Sequence, residues 1–518
     1  MRRTTLPRSA PPRPGRRTVA LFAALVLALA GLLGLTSAAG VAAADASDYT
    51  QSATQLSSTQ AQITFKPTTP AAYVDIHYLV NGANQQNFRM ANNGGTWTQT
   101  IGSLTTGTAV EYWFTYEKSG PQYDTPHFTY THGSTGTTGG TTTGGTNGGG
   151  TGPVPGTIPI KITNNSGRGD AVYIYNLGTQ LSSGLQGWAD ANGTFHAWPA
   201  GGNPPTAAPD ASIAGPANGK SITIQLPKFS GRVYFSYGQK LVFKLTTGGL
   251  VQPAVQNPSD PNHDILFNWT EYTLNDSGLW INSTQVDMFS APYAVGVVST
   301  TGAGQTTGHL KTGGYTGFLS ALRSQSGGWG GLIQTRSDGT VLRALAPGHG
   351  IESGALPSTV LADYINRVWA KYASSTLTVT PFGDQPALKY YGRVSGNVMN
   401  FTNSAGAVVT SFQKPDADSV FGCYKLLDAP NDLVRGPISR TLCAGFNRST
   451  LLTNSNQPDA SSANFYQDAV TNHYARLIHA QMADGKAYAF AFDDVGNYES
   501  LVHDGSPQQA SITLDPFN

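Results

Sequence analysis

FNWTEYTLNDSGLWINSTQVDMFSAPY, residues Phe267 to Tyr293, reads as two strands joined by a turn. Side-chain parity along its first half places Glu271, Thr273 and Asn275 on one face and Tyr272 and Leu274 on the other. Asn275-Asp276-Ser277-Gly278 is a turn signal, and the run after it carries Asp287. A connection centred near Leu279 sets Glu271 opposite Asp287 on one sheet face, whereas a tighter turn puts the two out of step. On either register a carboxylate is aligned on a polar strand face.

Working outward, IPIKITNN, RVYFSYG, KLVFKL, ALKYYGRV and AYAFAFDD also have strand composition, and abundant Gly, Asn and Pro break them into short units. Helices are few. The clearest takes Ser358 as N-cap candidate with Leu361, Tyr364, Ile365, Val368 and Tyr372 on one face; others are expected near Tyr315 to Arg323 and Asn464 to Met482. Residues 157–518 are therefore expected to form a β-barrel or sandwich with a mixed α/β portion. Ahead of them, GSTGTTGGTTTGGTNGGGTGPVPG (133–156) has almost nothing to bury and reads as a linker. Residues 45–132 form a separate front module. There Val74, Ile76, Tyr78 and Val80 share one parity, as do Tyr112, Phe114 and Tyr116, with Asn81-Gly82 and Asn93-Gly94 as turns. That is a small β-sandwich. Trp97, Trp113, His77, Tyr123, His127 and Phe128 are more rings than its core needs, so some are expected to be exposed for ligand stacking.

The first 44 residues read as a signal peptide. Arg2, Arg3, Arg13, Arg16 and Arg17 precede the apolar run Val19 to Leu35, and Ala42-Ala43-Ala44 supplies small residues for cleavage. The rival, a membrane span, is disfavoured by the short run and the polar segment after it. The expectation is a secreted, extracellular monomer with no membrane association after cleavage; Arg16-Arg17 hints at twin-arginine export. Export also favours a disulfide between the only two cysteines, Cys423 and Cys443, over two buried thiols. A net charge of +1 gives no footprint for nucleic acid. Few charges among many Gly, Thr, Ser, Asn and aromatic residues suit an uncharged partner such as a sugar polymer.

Paired carboxylates are the minimum machinery of glycoside hydrolysis: one protonates the leaving oxygen and the other activates water or attacks carbon. Residues 157–518 hold only three glutamates, Glu271, Glu352 and Glu499. Two solvated strand carboxylates are the plain alternative for Glu271 and Asp287, and a core role the plain alternative for Trp280. GHGIESG, with His349 and Glu352, reads as a Gly-rich turn with incidental polar residues, and His473 and His479 as surface or satisfied core groups. No G-x-S-x-G, H-E-x-x-H or P-loop pattern is present.

VDIHYLVNGANQQNFRM (74–90) and EYWFTYEKSGPQYDTPHFTY (111–130) resemble carbohydrate-binding module family 56, a β-1,3-glucan binder. WTEYTLNDSGLWINSTQVDMFSAPY (269–293) and AYAFAFDDVGNY (487–498) resemble glycoside hydrolase family 64, and the likeness runs through most of 158–518. That resemblance implies a mainly β protein in which the catalytic domain has a thaumatin-like fold, a barrel or sandwich with a mixed α/β subdomain forming a wide cleft. It further implies an inverting endo-β-1,3-glucanase releasing laminaripentaose, with no cofactor or metal and β-1,3-glucan as partner. Glu271 falls on the catalytic acid and Asp287 on the catalytic base; Thr273, Asn275, Trp280, Thr284, Asp493 and Asp494 fall on glucan-contacting positions. Asp493 and Asp494 would alternate faces if they lie on a strand, so at most one points into a cleft. Rival readings are a non-catalytic glucan-binding protein of the same fold and a cleft enzyme acting on another polysaccharide.

Overall fold

The computed structural model describes residues 42–43, 48–71, 73–81, 86–102, 104–117, 122–133 and 156–518. The expected signal peptide lies outside the described residues except for 42–43, and the expected linker except for 133 and 156.

In the front module, alternating parity does what it predicts. Val74–Val80 pairs antiparallel with Ala109–Glu117 in one sheet, and Gln60–Pro67 lies between Tyr49–Ser57 and Thr96–Ile101 in a second. Val74, Ile76, Phe114 and Tyr116 meet Ile63, Phe65 and Trp97 in a shared core, with Val80 at the strand end only partly buried. Asn81 (φ 50°) and Gly94 (φ 62°) take left-handed turn conformations at the two Asn-Gly sites.

The larger domain is a two-sheet sandwich with a helical layer on one outer face. A five-stranded sheet runs in the order Ser221–Leu226, Ile158–Asn164, Pro507–Leu514, Tyr293–Ser299, Gly304–Thr307. The facing sheet is eight-stranded, and its centre is β1 (Val172–Gln180), β2 (Phe229–Tyr237), β3 (Leu266–Asn275), β4 (Gly278–Ser283) and β5 (Leu501–Asp504), side by side and antiparallel. Between the sheets, Ile160, Ile162, Val295 and Ile512 pack on Ile174, Val233, Phe235, Tyr272 and Ile281. On the opposite face of β1–β3, Tyr175, Tyr234, Phe267 and Trp269 join a second core supplied by the helices Gly314–Ser324, Ala362–Ser374, Arg435–Asn447 and His473–Gln481. β3 is thus covered on both sides, which is why nine of its ten residues are buried despite a sequence that alternates in polarity. Each ring it buries is worth roughly 1.5–3 kcal/mol.

Several sequence expectations need correction. The helix expected from Ser358 begins at Ala362, with Leu361 rather than Ser358 at the N-cap and no side-chain cap bond, although Tyr364, Ile365, Val368 and Tyr372 are buried as expected. The helix expected over 464–482 is the shorter His473–Gln481, where Asn472 caps by accepting from the Ala475 N–H. Helix Arg435–Asn447 was not foreseen; its buried small and polar residues give weak periodicity. AYAFAFDD is not a strand. Tyr488 makes a single bridge to Thr284, and the chain then turns, with Asp493 N–H bonding Phe490 C=O at 3.1 Å and Asn497 N–H bonding Asp494 C=O at 2.9 Å. Cys423 and Cys443 form a disulfide with Cα atoms 5.6 Å apart. No helix among the described residues is long and apolar enough to cross a membrane.

Candidate active site

The turn between β3 and β4 is the tight one. Asn275 pairs with Gly278, leaving Asp276 and Ser277 as the loop, and the Asn275 side chain accepts the Ser277 N–H at 2.8 Å. Gly278 is required here: its φ is 126°, and a Cβ would stand 2.1 Å from the Asp504 carbonyl of β5. The consequence is a register in which Glu271 faces Asn282, not Asp287. Arg232 of β2 faces Glu271 from the other side. Two Arg232 nitrogens approach Glu271 Oε1 at 3.2 and 3.1 Å, and Asn282 Nδ2 donates to Oε2 at 3.5 Å. The guanidinium also lies 4.9 Å from the Trp269 ring centroid and donates to Tyr234 Oη at 3.2 Å.

Glu271 is only 5% exposed. Burial disfavours its charged form more than Arg232 favours it, and the nearby Asp287 charge adds to the effect, so the carboxyl is pushed up to about 7. A flanking arginine would ordinarily hold a glutamate ionised; here desolvation wins.

Asp287 reaches the site by a different route. Past Ser283 the chain leaves the sheet: Thr284 bridges Tyr488, and Gln285 N–H bonds the Tyr488 carbonyl at 2.8 Å. The Asp287 carbonyl then accepts the Ala346 N–H at 2.9 Å, which fixes the start of α1 (Pro347–Glu352) beside it. α1 delivers His349. Its Nε2 lies 3.3 Å from Asp287 Oδ1 and its Nδ1 3.2 Å from Glu352 Oε2, while Gln256 donates to the same Glu352 oxygen at 3.2 Å. Burial pulls the imidazole toward neutrality, but the hydrogen bonds to Asp287 and Glu352 outweigh it and hold it up at about 9. At neutral pH both ring nitrogens donate. GHGIESG is therefore a short helix buttressing Asp287, not an incidental turn.

Arg232 ties the two carboxylates together, with Nη2 3.1 Å from Glu271 Oε1 and 3.9 Å from Asp287 Oδ2. Those oxygens stand at most about 7 Å apart, the sum of the two contacts. One carboxyl is thus held partly protonated and the other faces an imidazolium, an arrangement able to supply one proton and accept another across a single bond.

The remaining predicted residues divide. Thr273 shares the Glu271 face, is 4% exposed, and donates to Ser230 Oγ at 3.4 Å. Trp280 lies across from Thr273 and is half-buried, with its ring stacked 4.2 Å from that of His503. Thr284 is buried, its backbone N–H held by Tyr293 Oη at 2.8 Å. Asp493 does not face solvent. It is fully buried and bound by Arg448 (3.0 Å), His479 (2.8 Å) and the Ala489 N–H (3.0 Å), which pins the turn that replaces the expected strand. Asp494 is the accessible one. Enough protein surrounds it to hold its carboxyl up at about 6, against the pull of Arg440 and Arg448. Glu499, left unassigned by the sequence, has a buried oxygen with no hydrogen-bond partner and is pushed by burial up to about 7. Tyr488 senses the charges of Asp494, Glu271 and Glu499 together, so its loop borders the Glu271 site. His473 and His479 are satisfied by the Ala469 carbonyl and by Asp493 respectively. Among the described residues no cluster of three His, Cys, Asp or Glu is gathered to hold a metal ion.

On the front module, His77, Trp113 and His127 occupy the sheet face away from the core. Trp113 stacks on His127 at 3.8 Å and 4°, and on His77 at 5.4 Å; His127 is exposed and bonded to Glu111 at 2.6 Å. The other ring residues singled out there behave differently: Trp97 is in the core, and Tyr123 and Phe128 pack at its margin.

Glycoside hydrolase family 64, described as beta-1,3-glucanase, matches residues 156–514, and carbohydrate binding module family 56 matches residues 51–125. Glucan endo-1,3-beta-glucosidases of Arthrobacter sp. (strain YCWD3) and Cellulosimicrobium cellulans are 61% and 60% identical over 366 residues, which is 70% of this chain and 66% of theirs. The chain thus spans just under two thirds of the length of these relatives. Among solved structures, a laminaripentaose-producing beta-1,3-glucanase in complex with laminaritetraose is 73% identical with a TM-score of 0.69, covering 70% of this chain and all of that one. A beta-1,3-glucanase domain from Clostridium beijerinckii is 26% identical with a TM-score of 0.59, covering 70% of this chain and 99% of that one.

Proposed function

This chain belongs to glycoside hydrolase family 64, and from that membership we propose that it is a secreted endo-β-1,3-glucanase that cuts with inversion and releases laminaripentaose. The observation that carries the reading is the pair of carboxyl groups bridged by Arg232, with Glu271 buried and its carboxyl held up at about 7 and Asp287 hydrogen-bonded to His349. Glu271 gives its proton to the glycosidic oxygen as the bond to the anomeric carbon breaks. Asp287 takes a proton from the water that attacks the opposite face of that carbon. As Glu271 loses its proton, negative charge grows beside the two Arg232 nitrogens, so the cation stabilises the acid's conjugate base when the leaving group departs. His349, clamped by Glu352, orients Asp287 through the 3.3 Å contact of its Nε2 with Oδ1. Thr273 and Trp280, on the same face, supply a hydroxyl and an aromatic surface to the sugars; Asp494 approaches from the Tyr488 loop.

The front module serves the same polymer. The exposed His127 ring, backed by Trp113 and His77 buried beneath it, offers an aromatic face to pyranose C–H groups, with Glu111 and Thr115 on the same parity as Trp113 to meet hydroxyls. Glu271→Gln and Asp287→Asn test the catalytic reading. Each should abolish most hydrolysis of laminarin with folding retained, and proton NMR of fresh wild-type product should show the α anomer first. Near-normal turnover in either variant removes that residue from the mechanism, and initial β anomer makes the enzyme retaining.

A further inference from the structure

The eight-stranded sheet continues beyond β1 through the strands Gln186–Ala189 and Phe195–Ala197. These edge strands carry a second ring stack: Trp188 lies 5.1 Å from His196 at 21° and 4.5 Å from Trp198 at 32°. We propose that the His196–Trp188–Trp198 stack is a distal sugar platform, binding a pyranose of the same glucan chain whose scissile bond lies over Glu271. The proposal rests on the glucanase reading above and extends its binding surface to the far edge of the sheet.

Register carries the argument. His196 pairs with Trp188, Trp188 with Leu177, Leu177 with Arg232, and Arg232 with Glu271, and directly paired residues share a sheet face. The stack therefore stands on the same face as Glu271, with Trp188 three interstrand spacings, about 14 Å, away and His196 one strand farther. Between them runs a second row in register, Gln186, Thr179, Ser230, Thr273, Trp280, His503. Gln186 and His503 are exposed, and Thr179, Ser230 and Trp280 are partly so. The row is a floor of hydroxyl and amide groups with the Trp280–His503 stack at one end and Trp188–His196–Trp198 at the other. A β-glucan has matching chemistry: uncharged hydroxyl edges that pair with Ser, Thr and Gln, and C–H faces that lie on aromatic rings. Trp188 and Trp198 also pack partly against the aromatic core. A purely covering role, however, accounts neither for the exposed His196 nor for a three-ring stack in line with the catalytic carboxyl.

The test compares the full-length chain with Trp188→Ala/Trp198→Ala and Trp188→Phe/Trp198→Phe on soluble laminarihexaose. Loss of a remote platform removes binding shared by ground and transition states, so KM should rise roughly five- to tenfold with kcat within about twofold. The phenylalanine pair keeps ring faces and should restore KM to within about twofold of wild type. If the alanine pair does not fold, His196→Ala, which removes an exposed ring, should raise KM about two- to threefold. An unchanged KM in the alanine pair, or a phenylalanine pair no better than alanine, overturns the platform. Failure of the glucanase reading has a different signature: wild type that does not cut laminarihexaose, or Glu271→Gln that still does.

Discussion

Burial of Glu271 makes the proposed catalytic acid a source of instability, and this can be measured without any substrate. The carboxyl moves from an ordinary 4.5 to about 7 on folding, because the native site disfavours its charge. Its folded pKa lies above its unfolded one, so the native state holds the proton more tightly. The associated stability is fully present below about pH 4.5 and is lost as pH rises through about 7. A shift of about 2.5 units corresponds to ~3 kcal/mol at 1.36 kcal/mol per unit, and with the residue only 5% exposed there is little solvent screening to reduce it. Glutamine is close in shape to protonated glutamate and cannot ionise. Glu271→Gln should therefore melt with wild type at pH 4 but be more stable by up to ~3 kcal/mol at pH 8, a gain of several degrees in a domain of this size. Thermal melts at pH 4, 6 and 8, paired with laminarin hydrolysis, give both readouts. A variant that is equally or less stable than wild type at pH 8, or whose advantage does not shrink on acidification, would refute the claim that desolvation dominates at Glu271.

The same balance predicts the effect of removing its opposing charge. Arg232→Met leaves burial unopposed, so the alkaline limb of kcat/KM, set by loss of the Glu271 proton near 7, should move up by about one to three units. Its maximum should fall roughly ten- to a hundredfold, as the conjugate base loses a charged hydrogen-bond partner; a limb that stays in place or moves down argues that Glu271 is not the titrating acid. For the front module, Trp113→Ala in the full-length chain should cut activity on insoluble β-1,3-glucan severalfold while leaving laminarihexaose hydrolysis unchanged, because tethering raises effective concentration only at a surface. Equal losses on both substrates would place Trp113 in folding rather than in binding.

What could be read from sequence was whatever depends on parity within one strand. The shared face of Glu271 and Thr273, the inward sets Val74/Ile76 and Phe114/Tyr116, and the inward face of the helix now bounded at Ala362–Ser374 all rest on local periodicity. What could not be read depends on register or on the chain leaving a regular element. Asp287 reaches Glu271 only because the strand ends at Ser283 and the chain swings toward α1. Arg232 becomes its bridge through a β2–β3 register that no local signal sets. A clue was present in that Arg232 is the lone charged residue of the β2 strand FSGRVYFSY. His349 was hidden by the glycines around it, though Pro347 at the first helical turn is a recognised start signal. AYAFAFDD misled because an aspartate inside it, Asp493, satisfies backbone and buried cations and so stabilises a turn against the strand propensity of its neighbours.

The parallel pairing of Ile158–Asn164 with Pro507–Leu514 at the middle of the five-stranded sheet has a consequence in time rather than in space. Ile160 and Ile512 lie in the same sandwich core, so this sheet cannot close until segments roughly 350 residues apart have met, a loop whose entropy cost grows only as the logarithm of its length. Equilibrium stability scarcely registers such a distance, but the rate of assembly does, because long-range pairing must be found before it is rewarded. Until that last strand docks, both neighbours in the sheet present open edges, and the half-built domain is the species most exposed to aggregation or proteolysis.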